Sequence, residues 1–261
     1  MKEVLIDNLK VRIYESREQI GMDAAKMAAD QIRVLLQQQD CVNIIFAAAA
    51  SQNEFLAALV QEKLDWTRVN AFHMDEYIGL DAAAPQLFRY FLKEKIFDRL
   101  PFRNVYLLNG QAENIELECK RYAALLEENP VDITCMGIGE NAHLAFNDPH
   151  VADFDDPVQV KVVDLDQACK QQQVNEGCFS DVGKVPNDAL TLTIPALLQA
   201  PFIFCMVPGA AKANAVYHTL ISDITEKYPS AILRKHSNAI LFLEKESAAE
   251  VLPLINQLQA K

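Results

Sequence analysis

Short apolar runs alternate with longer segments of helical periodicity along most of this 261-residue chain. Six runs have the length and composition of buried strands: residues 42–47, 69–72, 105–108, 133–136, 202–207 and 239–243. Helices are predicted around them at residues 17–38, 53–63, 86–97, 115–127, 210–221 and 246–259. Because parallel strands need a crossover connection, usually a helix, this alternation predicts an α/β protein. We expect an open, doubly wound, mostly parallel sheet with helices on both faces, as in Rossmann-like folds.

No internal repeat, low-complexity tract or Gly/Ser-rich linker divides the sequence, which predicts a single domain over residues 1–261. The first helix has the clearest start, because Ser16 at the N-cap is followed three residues later by Gln19, the spacing of a capping box. A moderately polar stretch at about residues 150–187 interrupts the alternation. Since ligands of open α/β sheets bind over the carboxyl ends of the strands, we predict that this insert forms a lid or a substrate wall there.

The composition argues against several classes of partner. A formal net charge of −12 would repel the phosphate backbone of nucleic acid and an anionic membrane surface, and no local basic patch offsets it. No stretch approaches the roughly 18 apolar residues of a membrane span, and residues 1–16 alternate like a strand instead of resembling a signal peptide. The six cysteines lack any Cys-x-x-Cys spacing and are interpreted as reduced core residues. We therefore expect a cytoplasmic protein that binds neither nucleic acid nor membranes.

Two carboxylates follow one of the predicted strands. In the segment FHMDEYIGL, residues 72–80, the strand ends in Asp75 and Glu76 ahead of Gly79. A carboxylate at the carboxyl end of a parallel strand points into the ligand crevice, where it can transfer protons. An isolated Asp-Glu pair at such a place is more often a solvated acidic turn, so both interpretations stay open on the residues alone.

A glycine-rich turn with a histidine follows another strand. The segment MGIGENAHLAFNDP, residues 136–149, carries Gly137 and Gly139, then His143 and Asp148. The glycines permit a close backbone approach, and His143 with Asp148 can form a proton-transfer pair. A lone histidine after a strand is more often a packing or capping residue, and Gly-x-Gly alone is a weak signal.

A third turn and a lysine are candidates for holding an anion. In NIIFAAAASQNEF, residues 43–55, small residues up to Ser51 leave backbone N–H groups exposed before a helix, which can cradle an anion. The turn lacks the glycines of a Walker loop, so a simple tight turn is an equal alternative. Lys212, in VPGAAKANAV, lies in the first turn of a helix, where a cation is slightly unfavourable. It is either an ordinary exposed lysine or a phosphate contact.

Taken together, these segments resemble the glucosamine-6-phosphate deaminase/isomerase family, in order over residues 42–243. FHMDEYIGL is similar to the family's F-N-M-D-E-Y-x-G-L, and YLLNG at 106–110 is similar to N-L-L-N-G. GIGENAHLAFNDP at 137–149 resembles G-x-G-x-D-G-H-I-A-F-N-E-P, and VPNDALTLTIPALL at 185–198 resembles V-P-x-x-A-L-T. The related 6-phosphogluconolactonases share the fold but tend to carry D-E-R and G-H-T-A-S-L-F-P at the first and third of these places, so the resemblance favours the deaminases.

The resemblance implies a reaction and a set of site residues. An amino-hexose 6-phosphate would be converted to a ketose phosphate and ammonia through an enediolate, with no metal and no organic cofactor. Asp75 would move a proton between C1 and C2, and His143 would assist ring opening. The remaining candidates are residues beside this pair, Glu76, Asn141 and Asp148, and residues for the phosphate, Ala48, Ala49, Ala50, Ser51, Gln52 and Lys212. Many family members form homo-oligomers, which leaves the oligomeric state open here.

The chain departs from the family pattern at several of these places. Asn141 replaces an aspartate and can hold the histidine ring but cannot stabilise an imidazolium by charge. Asp148 replaces a glutamate and is one methylene shorter, so the pair with the histidine would need a local shift. The phosphate loop is alanine-rich where the family has glycine and threonine, and Glu176 aligns with an arginine of the lid. Arg234 is a substitute for that arginine or else a surface residue.

Two other functions remain open at the level of sequence. One is hydrolysis of a sugar-phosphate lactone on the same scaffold, with His143 as general base. The other is a sugar-phosphate-binding protein with altered catalysis, which the changed residues would suit. The sugar's stereochemistry is not readable from the chain.

Overall fold

A computed structural model describes residues 1–255. The strands in this part of the chain are β1 (Lys2–Ile6), β2 (Leu9–Tyr14), β3 (Val42–Phe46), β4 (Val69–His73), β5 (Asp75–Tyr77), β6 (Asn104–Tyr106), β7 (Ile133–Met136), β8 (Val160–Asp164), β9 (Asp188–Leu192), β10 (Phe202–Val207) and β11 (Ala239–Glu244). The α-helices are α1 (Arg17–Gln38), α2 (Asn53–Leu59), α3 (Phe88–Leu92), α4 (Ile115–Glu128), α5 (Gln167–Asn175), α6 (Ile194–Leu198) and α7 (Ala213–Ile221). None of these helices is long and apolar enough to cross a lipid bilayer.

Eight strands form the central sheet in the order β1-β2-β11-β10-β7-β3-β4-β6. Only the pair of β1 and β2 is antiparallel, and all the other pairs are parallel. From β3 the chain proceeds through β4 to β6 on one side, whereas β7, β10 and β11 lie on the other side. The strand order therefore reverses between β3 and β7, and the crevice outside the carboxyl ends of strands at such a switch point is the usual ligand site.

Helices cover both faces of this sheet, which confirms the predicted doubly wound α/β architecture. Successive side chains of a strand point to opposite faces, so Ile44 and Phe46 of β3 belong to one core and Ile45 belongs to the other. The first core includes Ile20 of α1 and residues of α2 and α3. The second includes residues of α4, α6 and α7. All six cysteines are free, as expected for reduced residues.

The six predicted strands are all present in the sheet, with ends that differ by at most two residues, and α1 and α4 match their predicted positions closely. The helix predicted at 86–97 consists of the short α3 followed by a π-helical turn, Lys93–Phe97, and the helix at 210–221 opens with a 3-10 turn, Ala210–Lys212. The prediction for 246–259 was wrong in its first part, because 246–254 form hydrogen-bonded turns. Residues 256–259 lie outside the described part of the chain.

A second sheet, not predicted from the sequence, contributes to the ligand edge. It is antiparallel, in the order β5-β9-β8, and β5 begins at Asp75 directly after β4. Asp75 is in register with Thr191 of β9. The stretch 150–187 supplies β8 and α5.

Helices α1 and α2 pack so closely that alanine at Gly21 should destabilise the protein. A Cβ built on Gly21 would lie 2.5 Å from the Glu54 carbonyl carbon, well inside the normal carbon–carbon separation of about 3.5 Å. Helix propensity alone predicts a gain of about 1 kcal/mol for Gly21→Ala, whereas overpacking predicts a loss of roughly 1–3 kcal/mol. Urea denaturation distinguishes the two signs, with Met22→Ala on the exposed face of the same helix as the control. A stabilised Gly21→Ala variant would show that the two helices can separate at little cost.

Candidate active site

A cleft opens at the carboxyl edge of four adjacent strands, β10, β7, β3 and β4. The turn after each of these strands contributes to its wall, and α3 and α5 contribute from above. Its volume is about 480 Å³ when the open solvent at its mouth is included. The lining residues are Ala47, Ala48, Ala49, Ser51, Met74, Asp75, Phe88, Gly137, Ile138, Gly139, His143, Ala145, Phe146, Gln172, Gln173 and Lys212.

Asp75 presents a desolvated carboxylate to this cleft. The residue is only 7% exposed, and burial together with the nearby charge of Glu76 raises its pKa well above the usual carboxyl value. Within residues 1–255, no group donates a hydrogen bond to its side chain. An anion that lacks donors is a stronger base than one in water, so this carboxylate is suited to taking a proton from carbon.

Glu76, named with Asp75 as a candidate catalytic residue, does not line the cleft. Its side chain is fully buried, and its two oxygens accept hydrogen bonds at 3.0 Å from the backbone N–H groups of Tyr77, Phe88 and Arg89. Because side chains alternate along a strand, neighbours in β5 point in opposite directions. The position of Glu76 corrects the sequence interpretation: this carboxylate fastens the start of α3 to β5.

His143 lies on the turn after β7 and is held against Asp148. Its Nδ1 atom is 2.9 Å from Asp148 Oδ1, so the shorter aspartate still reaches the ring. On either side of the histidine, Ala142 and Ala145 have positive φ angles of 68° and 49°. Such left-handed conformations cost on the order of 1 kcal/mol each for residues other than glycine and are typical of functional sites. The turn thus places the imidazole at the cleft at a cost in backbone strain.

A chain of polar groups continues from Asp148 to the insert. Asn141 donates through Nδ2 to Asp148 Oδ1 at 2.9 Å and to Asp166 Oδ2 at 3.0 Å, while its Oδ1 accepts from the His143 amide. Burial would raise the pKa of Asp148, but the contact with His143 and the donors from Asn141 and the Asp166 amide outweigh it, and the pKa is lowered. The sequence indicated that Asn141 could hold the imidazole ring. In the structure it bridges two carboxylates instead.

This bridge predicts that restoring an aspartate at position 141 would be harmful. Asn141→Asp would remove both donated hydrogen bonds and would place a third carboxylate beside Asp148 and Asp166, which repel one another. We expect a loss of stability of about 2–4 kcal/mol and lower activity at neutral pH. Asn141→Ala removes the same donors without adding charge and is the matched control. If the aspartate variant were as stable as the alanine variant in urea denaturation, charge repulsion would not be the reason for asparagine here.

Only some of the loop residues that were predicted to bind the phosphate lie at the cleft. Ala48, Ala49 and Ser51 line the cleft, whereas Ala50 faces a neighbouring cavity. Gln52 is 1% exposed, and its Nε2 lies 3.4 Å from the carbonyl oxygens of Met136 and Met206, so it joins the ends of β7 and β10 beneath the cleft. The cradle is therefore smaller than the sequence indicated.

Lys212 and Arg234, the two candidate cations, have different positions. Lys212 is 7% exposed and lines the cleft, so it is not the exposed lysine of the alternative interpretation. Burial lowers the pKa of Lys212, although the carboxylates of Glu176 and Glu140 act in the opposite direction. Arg234 donates to the carbonyl oxygens of Leu220 and Ser222 and does not line the cleft. It is neither an anion ligand here nor a surface residue, and both sequence interpretations of it were wrong.

Two glutamines of α5 were missed by the sequence analysis. Gln172 Oε1 accepts from the Glu140 amide at 2.8 Å, and Gln173 Oε1 accepts from the Tyr77 hydroxyl at 2.7 Å. The only available signal was the prediction that the polar stretch 150–187 lies over the strand ends, which does not identify individual side chains. Both glutamines line the cleft.

His143, Asp148 and Cys169 each offer a possible metal-ligand atom within 4.8 Å of the others. Two ligands at about 2.0 Å from a tetrahedral metal lie roughly 3.3 Å apart. The 2.9 Å between His143 Nδ1 and Asp148 Oδ1 is shorter than this separation and is that of a direct polar contact between the two side chains. The geometry favours proton transfer over metal ligation.

Comparison with known proteins identifies the family. The model of the family of glucosamine-6-phosphate isomerases and 6-phosphogluconolactonases matches residues 15–242 of this chain. The chain belongs to this family. Glucosamine-6-phosphate deaminase of Streptococcus sanguinis is 32% identical over 237 residues, which cover 91% of this chain and 97% of that protein. The Bacillus cereus protein of the same name is 34% identical over 239 residues, which cover 92% of this chain and 88% of that protein.

Solved structures agree on the fold. A monomeric glucosamine-6-phosphate deaminase has a TM-score of 0.83 and 27% identity, covering 92% of this chain and 98% of its own. The 6-phosphogluconolactonase of Thermotoga maritima has a TM-score of 0.73 and 19% identity, covering 90% and 99%. Both branches of the family share this architecture, so the fold alone does not choose between their reactions.

Proposed function

We propose that this protein is an isomerase/deaminase that converts an amino-hexose 6-phosphate to a ketose phosphate and ammonia. The observation that carries the proposal is the desolvated carboxylate of Asp75 in a cleft that also contains the His143–Asp148 pair and Lys212. Relatives about one-third identical over most of the chain are named glucosamine-6-phosphate deaminases.

The proposed first steps use His143 and Asp75. His143, whose ring contacts Asp148, moves the proton that opens the sugar ring to the aldehyde form. Asp75 then takes the proton from C2, and the electron pair of that C–H bond forms a double bond between C1 and C2. The π electrons of the C1 carbonyl move to O1, and a proton passes from the C2 ammonium group to O1. The raised pKa of Asp75 brings its basicity closer to that of the carbon acid, which makes this step easier.

The later steps return the proton and release ammonia. Asp75 delivers its proton to C1 as the nitrogen lone pair forms a double bond to C2, so the former aldehyde carbon becomes a CH2OH group and C2 becomes an imine carbon. Water adds to the imine, ammonia leaves, and the ketose phosphate remains. Lys212 would hold the phosphate and keep C1 and C2 beside Asp75. Binding of a remote group fixes the position and orientation of the reacting carbons.

The test is a coupled assay of ammonia and ketose phosphate with purified protein and a panel of amino-hexose 6-phosphates of different stereochemistry. Stoichiometric release of both products from one panel member would support the proposal and identify the substrate. Absence of release from every member would overturn it. Thermal stabilisation by the same compounds would then indicate a retained phosphate site with other chemistry, and sugar-phosphate lactones would be assayed next.

A further inference from the structure

Lys212 already has an anionic partner inside the cleft region. Among the described residues that line the cleft, Lys212 is the only lysine or arginine. Its Nζ lies 3.7 Å from Oε1 of Glu176, which belongs to the insert. The pair is largely buried, with 8% of the lysine side chain and 18% of the glutamate side chain exposed. Any anion that binds Lys212 must therefore contend with a carboxylate of the protein itself.

We propose that Glu176 is an internal competitor for Lys212, and that the anionic group of the substrate binds by replacing the Glu176 carboxylate. Glu176 is then a specificity-determining residue, because a ligand must interact with Lys212 more strongly than a carboxylate does. A phosphate dianion meets this requirement, whereas a carboxylic acid of the same size gains little. The inference rests on the proposed function in that it assigns this anion to the phosphate of a sugar phosphate.

The local structure makes Glu176 an exchangeable partner. It is the C-cap residue of α5, and Gly177 with a φ of 79° ends the helix directly after it. Helix C-termini carry a partial negative charge that disfavours a carboxylate. The separation of 3.7 Å from Lys212 also exceeds the roughly 2.8 Å of a direct charged hydrogen bond. The closest partner of Glu176 is instead Gln172, whose Nε2 donates to Oε1 at 2.7 Å.

The exchange requires movement of a side chain but not of the helix. Helix α5 is fastened to the cleft by Gln172, which accepts from the Glu140 amide, and by Gln173, which accepts from the Tyr77 hydroxyl. Both glutamines are about 5% exposed. Glu176 also lines a neighbouring cavity of about 860 Å³, open solvent included, that Lys212 does not line. That cavity has room for the carboxylate once it leaves Lys212.

The test measures binding of inorganic phosphate to the full chain by isothermal titration calorimetry at constant ionic strength. Glu176→Gln keeps the length and polarity of the side chain but removes the competing charge. We expect the Kd for phosphate to fall on the order of tenfold, because the carboxylate charge no longer competes with phosphate for Lys212. The matched control is Asp181→Asn, which removes one negative charge from an exposed residue of the same insert that contacts Lys184 and Ser180. Its Kd should change by less than about twofold.

A second pair of variants keeps the inference falsifiable. In a Lys212→Met background, Glu176→Gln should have no effect on phosphate binding, because the ammonium group for which Glu176 and phosphate compete is absent. An unchanged or weaker affinity of Glu176→Gln with Lys212 intact, in a variant that melts like the wild type, would overturn the proposal. Phosphate binding does not depend on turnover, so failure of the amino-sugar assay would remove the proposed reaction and leave this result standing.

Discussion

Replacing Asp75 with asparagine should abolish turnover and at the same time stabilise the protein at neutral pH. Asparagine has nearly the same shape but cannot accept the C2 proton, so we expect kcat to fall by at least about 10³-fold. Affinity for phosphate esters should change little, since Lys212 lies elsewhere in the cleft. Asp98→Asn, the same chemical change at an exposed position, should leave both activity and stability unaltered. Substantial activity of Asp75→Asn would remove Asp75 from the mechanism.

The stability gain follows from the raised pKa of Asp75. Burial favours the neutral acid, so the folded chain holds this proton to a higher pH than the unfolded chain does. The stability that protonated Asp75 contributes is full below the ordinary carboxyl pKa of about 3.9 and is lost as the pH rises through the folded pKa. Asparagine avoids this loss.

The measurement is urea denaturation of wild type and Asp75→Asn at two pH values. The variant should be more stable by at least about 1 kcal/mol near pH 7.5, with a much smaller difference near pH 4. The opposite pH trend would show that the carboxylate is stabilised as an anion, which its lack of donors among residues 1–255 does not allow. A catalytic group that lowers stability is an expected trade-off at an active site.

Alanine at Gly139 should disable the site through His143. A Cβ at Gly139 would overlap the imidazole ring, with Nε2, Cε1 and Cδ2 as the nearest atoms. Gly139 is not among the residues with a positive φ angle, so alanine suits its backbone and the clash with the ring is the main effect. The ring would have to leave its position beside Asp148. We expect kcat to fall by about 10²-fold or more, with a smaller change in KM because Lys212 is not displaced.

Steady-state kinetics of Gly139→Ala check this expectation, and stability should fall by roughly 1–3 kcal/mol from overpacking. Gly183→Ala is the control, because its Cβ would meet only the Asp181 side chain at 3.3 Å on the surface. Wild-type kcat in Gly139→Ala would mean that the position of the imidazole is not required for the reaction. A loss confined to KM would assign His143 to binding.

The positions of the strands were readable because burial on both faces leaves a strong local signal. Strands β3, β7 and β10 are apolar at nearly every position, and parallel strands buried on both sides read as continuous apolar runs. The short β5 and the partly exposed β8 carry no such signal, so the second sheet was not predicted. Residues 246–254 were predicted as a helix but form hydrogen-bonded turns, since periodicity does not distinguish successive turns from a continuous helix.

The candidate site was predictable only as a set of segments. The turns that carry Asp75, His143 and Lys212 were all identified, and the structure brings these three residues to one cleft. Gln52 was predicted at the anion from its place in the loop, and Arg234 was either an anion ligand or a surface residue. In the structure Gln52 joins two strand ends and Arg234 binds carbonyl oxygens elsewhere. The direction in which a side chain points is set by tertiary packing, and neither residue type nor position in a motif reveals it.

The sequence by itself determined the architecture and the family, because strand burial, helix periodicity and contiguous motifs are local patterns. Only the tertiary structure decided that Asp75 and not Glu76 faces the cleft, and that the amide of Asn141 lies between two carboxylates. It also decided that Glu176 meets Lys212. These contacts join residues 7 to 36 positions apart in the chain and depend on side-chain directions set by packing. Electrostatic energies vary steeply with such distances and with burial, so the chemistry of the site emerges only when the chain is folded.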